Sequence, residues 1–236
     1  MTFNKVSTTN EVLEGIRLDG KHAIITGATG GLGIETSRAL AKVGASVTIT
    51  GRSSEKVEAA LETLRKEVPE ALFEGKVIDL ACLSSIRDTA FDMVAVGRRI
   101  DLLINNAGVM MTPEDKTADG FEMQFGTNHL GHFALTAGLM PIIAAGGRVI
   151  TLSSGAHLRG SVDLDDLNWE SRDYDPNLAY AQSKTANAWF ALELHRRYSD
   201  RLLAFSVHPG VIETDLMRHL PKTLFGTMRE AIKRDG

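Results

Sequence analysis

Tyr180 and Lys184 stand four residues apart in the run Tyr180-Ala181-Gln182-Ser183-Lys184. On a helix that spacing puts a phenol and an ammonium on one face, within reach of each other. A free tyrosine titrates near pH ~10 and is a poor base at neutrality. A cation beside it favours the phenolate and draws its pKa toward the range where acid–base catalysis operates. By itself the pair is a common helical pattern. It acquires meaning from Thr26-Gly27-Ala28-Thr29-Gly30-Gly31-Leu32-Gly33 far upstream, a run in the setting of a dinucleotide-binding turn.

Gly27, Gly31 and Gly33 follow an apolar strand and open a helix. Lacking side chains, they permit the tight turn, the approach of backbone to a pyrophosphate, and close packing of helix on strand. Free N–H groups of the turn, including those of Thr29 and Leu32, then hold the diphosphate with the helix dipole. The end of the second strand decides which dinucleotide is favoured. An acid there would bind the ribose 2′-hydroxyl of NAD. This chain has Thr50-Gly51-Arg52-Ser53 instead, and Arg52 can pair with a 2′-phosphate. NADP(H) is therefore expected over NAD(H), with Glu55 as the competing ribose ligand. Asp79-Leu80 ends the third strand, where Asp79 either accepts from an adenine amino group or caps the next helix. Asn105-Asn106-Ala107-Gly108 ends the fourth; small residues let backbone approach a ribose, and the amides can bridge strands.

The elements that must position these groups alternate. Strands are expected at residues 22–26, 46–50, 72–78, 100–104, 147–152 and 202–207. Helices are expected at 34–43, 54–68, 83–96, within 120–143, and at 178–198, with a short capped helical turn within 7–15. Strand–helix alternation implies βαβ units, a parallel sheet and a doubly wound Rossmann α/β fold. The division expected is an N-terminal extension, 1–17, and a Rossmann-fold domain, 18–236. Within it, the polar connection 155–177 is expected to wall a substrate pocket. Residues 216–236 are partly helical in pattern, so the sheet is expected to lack a last strand.

The 236 residues carry a net charge of −4, which argues against nucleic acid or an anionic membrane as the main partner. Cys82 is the only cysteine, so no intrachain disulfide can form. No apolar run approaches ~20 residues, and the first twenty lack a secretory core. A cytoplasmic protein without a membrane anchor is expected. His129 and His132 share a helical face, but no carboxylate or cysteine completes a metal-ligand pattern, so no metal is expected.

Taken in order, Thr26-Gly27, Gly31, Gly33, Asn105-Asn106-Ala107-Gly108, Asn128, Ser153-Ser154, Tyr180, Lys184 and Pro209-Gly210 resemble the short-chain dehydrogenases/reductases from about residue 18 to 215. Asn128-His129-Leu130-Gly131-His132-Phe133, Ser153-Ser154-Gly155-Ala156-His157, Asp166-Leu167 and His208-Pro209-Gly210-Val211 are similar to its retinol-dehydrogenase-like and WW-domain-oxidoreductase-like branch. Members of that branch often have an N-terminal anchor and a longer C-terminus, so a truncated form is expected. The resemblance implies a catalytic set. Tyr180 exchanges a proton with the substrate oxygen; Lys184 tunes Tyr180 and bonds the nicotinamide ribose. Ser154, selected over Ser153 by the branch, stabilises developing charge, and Asn128 holds a water that links Lys184 to solvent. Pro209, Gly210, Val211 and Thr214 would lie near the nicotinamide. The expected substrate is a small-molecule secondary alcohol, aldehyde or ketone, and relatives commonly pair through two long helices, which makes a homodimer a possible assembly. The alternatives are a cofactor-binding scaffold with little catalysis, and an epimerase or dehydratase.

Overall fold

The structure, a computed structural model, describes residues 3, 4, 6–220 and 226. A six-stranded parallel sheet forms, its inner strands built from β-branched and aliphatic runs buried on both faces. The strands are β1 (His22–Ile25), β2 (Ser46–Gly51), β3 (Phe73–Val77), β4 (Ile100–Asn105), β5 (Ile143–Leu152) and β6 (Leu202–Val207). Their spatial order is β3-β2-β1-β4-β5-β6. Ile25 lies between Ile49 and Ile104, so β1 is central. The chain first winds outward from β1 to β3, then crosses back to β4. The crevice at that reversal, beyond the carboxyl ends of β1 and β4, is where such sheets bind ligands.

The helices are α1 (Thr9–Val12), α2 (Gly31–Lys42), α3 (Ser54–Glu67), α4 (Leu83–Val96), α5 (Met123–Phe125), α6 (Gly131–Leu139) and α7 (Pro176–Tyr198). Side chains alternate across each strand, and the core divides accordingly. Ala23, Ile25, Val47, Ile49 and Ile104 pack with Leu61 and Leu64 of α3 on one face. Ile24, Leu103 and Val149 pack with Ile86 of α4, Leu135 of α6 and Leu194 of α7 on the other.

Three expectations change. The helix expected within 120–143 begins at Met123 and is interrupted by a π-helical turn, Gly126–Leu130, that carries Asn128. β5 starts at Ile143 rather than 147, because a register shift between Ile100 and Leu102 lets the chain pair across Gly146 and Gly147. α2 opens at Gly31, three residues before the expected start, because its glycines join the first turn. Among the described residues no seventh strand follows β6. The 3-10 turn Asp215–His219 begins the expected C-terminal helical region, and most of the rest of that region lies outside the described residues.

Candidate active site

The glycine turn is built by close approach. Gly27 has a φ of 63°, and a Cβ on it would lie 2.8 Å from the Cα of Ala107. A Cβ on Gly33 would lie 2.6 Å from the carbonyl oxygen of Gly27 and 2.8 Å from Asn106 Nδ2. Thr26 at the end of β1 fastens the turn to the loop after β4: its Oγ1 accepts the N–H groups of Asn106 and Ala107, each at 2.9 Å. Asn106 Nδ2 donates to Thr26 O at 2.8 Å. Asn106 thus secures the turn with its side chain. α2 begins without a side-chain cap, so its first N–H groups face the crevice as an anion site.

Gly51 ends β2 against Thr29, whose Cγ2 would lie 2.6 Å from a Cβ there. Arg52 follows, exposed and without an ion pair among the described residues. Glu55 accepts from Ser53 Oγ at 3.3 Å. Asp79 does not cap α4: its Oδ1 accepts Ala81 N–H at 2.9 Å. Asp119 takes the cap, accepting Leu83 N–H at 2.8 Å. Leu80 is buried, with its carbonyl against Gly131.

α7 brings Tyr180 and Lys184 under the crevice. The Ser154 hydroxyl hydrogen-bonds the Tyr180 phenol. Ser153 is turned away and donates to Lys184 O at 2.8 Å, so only the second serine of the pair meets the phenol. Lys184 is 3% exposed; Nζ donates to Leu152 O at 2.9 Å and stands 5.6 Å from the centre of the Tyr180 ring. Burial lowers its pKa from 10.5 to about 8. Asn128 bridges Val109 and α7: Nδ2 donates to Val109 O at 2.9 Å and to Ser183 Oγ at 3.0 Å, and Oδ1 accepts Val109 N–H at 2.8 Å. A Cβ on Gly108 would lie 3.1 Å from Asn128 Oδ1 and 3.7 Å from Lys184 Nζ, so these three residues converge. The Asn128 carbonyl is taken by His132 Nδ1 at 2.9 Å, and His132 Nε2 meets Thr26 Oγ1 at 2.8 Å. Burial lowers His132 to about 4, which keeps it a neutral link between β1 and the π-helical turn.

One expectation is corrected. Tyr180 has a raised pKa, because burial outweighs the hydrogen bond from Ser154. Lys184 does not lower it, since its ammonium is directed at a backbone carbonyl and is itself disfavoured by burial. The burial comes from residues whose proximity has no sequence signature: Met110, Ala156 and Met217 pack around Tyr180, with Met111, Leu216 and Leu220 beside them. Thr214, on the same strap as Met217, has its Cγ2 3.1 Å from where a Gly31 Cβ would sit. The strap after β6 therefore reaches from the glycine turn to the phenol. Pro209, Gly210 and Val211 lead into it at the sheet edge.

Of the connection 155–177, Ala156 packs on Tyr180. Its middle is held along α7, where Thr185 Oγ1 donates to Gly160 O at 2.6 Å and Gln182 Nε2 to Leu167 O at 3.1 Å. Sequence reasoning placed Thr26 in the glycine-turn motif without its fastening role, and missed Met110 and Met217; only the Met110-Met111 doublet directly after Val109 offered a local hint.

Residues 21–224 match the short chain dehydrogenase family. This chain belongs to that family. It is 45% identical to human retinol dehydrogenase 13 over 205 residues, covering 86% of this chain and 62% of that protein. It therefore spans about three fifths of that relative's length. A solved structure from Mycobacterium paratuberculosis matches with a TM-score of 0.76 at 45% identity, over 86% of this chain and 73% of that one. A short chain dehydrogenase from Burkholderia cenocepacia, solved in complex with NADP, matches with a TM-score of 0.69 at 25% identity, over 85% and 78%.

Proposed function

We propose that the chain transfers hydride between NADP(H) and an apolar alcohol, aldehyde or ketone. The observation that carries the reading is the Ser154–Tyr180 hydroxyl pair with buried Lys184 one turn along α7. The residues fit a dinucleotide: α2 is uncapped, the turn at Gly27 and Gly33 excludes side chains, and Arg52 has no ion pair among the described residues. Thr29, Gly31 and Leu32 would hold the diphosphate. Arg52 would hold a 2′-phosphate, Asp79 and Leu80 the adenine, and Ala107 and Gly108 a ribose. When bound, the nicotinamide supplies or accepts the hydride.

The chain's own groups manage the proton. A raised pKa keeps the Tyr180 phenol protonated at neutral pH, the form that donates to a carbonyl oxygen as charge develops on it. Ser154 would donate a second hydrogen bond to that oxygen. Lys184, at about 8, is a proton source that replenishes Tyr180, and Asn128 would hold a water that links Lys184 to solvent. Met110, Met111 and Met217 offer an adaptable apolar lining, which suits a largely apolar alcohol such as the retinol in the name of the human relative. Pro209–Val211 and Thr214 would close over the nicotinamide. Exposed Phe133, Trp189 and Leu192 on α6 and α7 support pairing of two copies. A cytoplasmic location belongs to the same reading.

The strap favours a second reading, a cofactor-binding scaffold: Thr214 and Met217 lie where a dinucleotide and a substrate must enter. The assay is NADPH oxidation with all-trans-retinaldehyde and with a short aliphatic aldehyde, repeated with NADH. Turnover favouring NADPH and the polyene supports the dehydrogenase. NADPH binding without turnover on either aldehyde supports the scaffold.

A further inference from the structure

Gln124 lies outside the set just described, yet every polar atom of its side chain is engaged and it is 0% exposed. Its Oε1 accepts Met111 N–H at 2.9 Å. Its Nε2 donates to Pro176 O and to Tyr174 Oη, both at 2.9 Å. The partners come from two places in the chain, the loop after β4 and the junction of the connection 155–177 with α7. Met111 follows Met110 in the wall against Tyr180 and holds a φ of 57°, a left-handed conformation rare for a residue with a side chain. Pro176 is the first residue of α7, one turn before Tyr180. Tyr174 lies two residues before α7, near the end of the connection 155–177, and donates to Glu122 Oε1 at 2.9 Å. Glu122 is 2% exposed and caps the helix that bears Asn128, accepting Gln124 N–H at 2.8 Å and Phe125 N–H at 2.6 Å.

We propose that Gln124 is a positioning residue, a three-way clamp that fixes the Met110–Met111 wall and the start of α7 relative to each other, and so sets where the Tyr180 hydroxyl meets the substrate carbonyl. A primary amide is the side chain that supplies two donors and an acceptor in one plane. Its position four residues before Asn128 lets one helical segment register both the wall and, through Asn128, Val109 and Ser183. Among the described residues no hydrogen bond of this clamp reaches the cofactor turn, β1 or α2, so its loss is expected to act on substrate geometry and spare nucleotide affinity. The inference rests on the dehydrogenase reading given above.

The test uses the full chain, NADPH and all-trans-retinaldehyde. Gln124→Met keeps the length and shape of the side chain and removes all three hydrogen bonds. A misplacement near 1 Å at a reacting group costs on the order of 100-fold in rate, so kcat is expected to fall roughly 10- to 100-fold. The NADPH dissociation constant is expected to stay within about twofold of wild type, an effect within ordinary context scatter. Gln124→Glu serves if the first variant does not fold. Beside Glu122 its carboxyl has a raised pKa; once protonated it regains one donor while keeping an acceptor for Met111. The ratio of its kcat to that of wild type is then expected to rise as pH falls. Among the described residues, Glu122 and Tyr174 are the titratable groups whose side chains hydrogen-bond Gln124 or each other. Wild-type kcat in Gln124→Met, an equal loss of NADPH affinity, or a pH-independent ratio in Gln124→Glu overturns the inference. Absence of turnover in the wild-type protein instead overturns the dehydrogenase reading, so the two failures are told apart.

Discussion

Lys184 is an ammonium buried without a carboxylate partner, and replacing it with methionine should stabilise the ligand-free protein. Burial takes its pKa from 10.5 to about 8. At about 1.4 kcal/mol per pH unit, that difference is a penalty of about 3 kcal/mol on the charged folded state. The direction with pH follows from proton binding. Between about pH 8 and 10.5 the unfolded chain holds more protons than the folded one, so stability rises with pH through that window. Below it the whole penalty is present. Lys184→Met removes the charge and fills nearly the same volume, while Leu152 O keeps its hydrogen bond from Asn187 Nδ2 at 3.0 Å. At roughly 2–4 °C per kcal/mol for a chain of this size, the midpoint at pH 7 should rise by about 6–12 °C. Circular dichroism during heating, at pH 7 and again above pH 10.5, reads the effect; the gap should close at the higher pH. A variant less stable than wild type at pH 7, or an equal gap at both pH values, refutes the argument. The same variant should lose turnover, which makes Lys184 a residue retained at a cost in stability.

Gly33→Ala should cost about 1–3 kcal/mol of stability and weaken NADPH binding at least tenfold, because the added methyl meets Gly27 O, Ala28 Cα and Asn106 Nδ2 at 2.6, 2.7 and 2.8 Å. Gly30→Ala in the same run, with open space around the new methyl, should change neither in thermal unfolding or fluorescence titration. Arg52→Glu should reverse the order of the NADPH and NADH Michaelis constants; an unchanged order would show that Arg52 does not meet the 2′-phosphate.

The sheet was legible because buried parallel strands read as short β-branched runs closed by glycine, as in β1 and β2, and because α4 and β6 keep unbroken patterns. β5 was misjudged at its start because Gly146 looks like a turn, while strand pairing with β4 depends on a bulge no local pattern encodes. The π-helical turn at Asn128 was invisible because its residues suit an α-helix equally well. Serine doublets carry no orientation; Ser153 and Ser154 separate only once α7 is packed beside them. The sign of the Tyr180 shift was misread for a similar reason. Helical spacing shows Lys184 four residues away, but not Met217, whose covering of the ring makes burial the larger effect.

The central claim is that the Tyr180 hydroxyl, and no other group, passes the proton during hydride transfer. Tyr180→Phe removes that oxygen and leaves the ring among Met110, Ala156 and Met217. Its NADPH dissociation constant, from nucleotide fluorescence, should match wild type, while single-turnover oxidation of bound NADPH by all-trans-retinaldehyde should slow by about 100-fold or more, the range for loss of a general acid. Single-turnover rates within a few-fold of wild type would contradict the account.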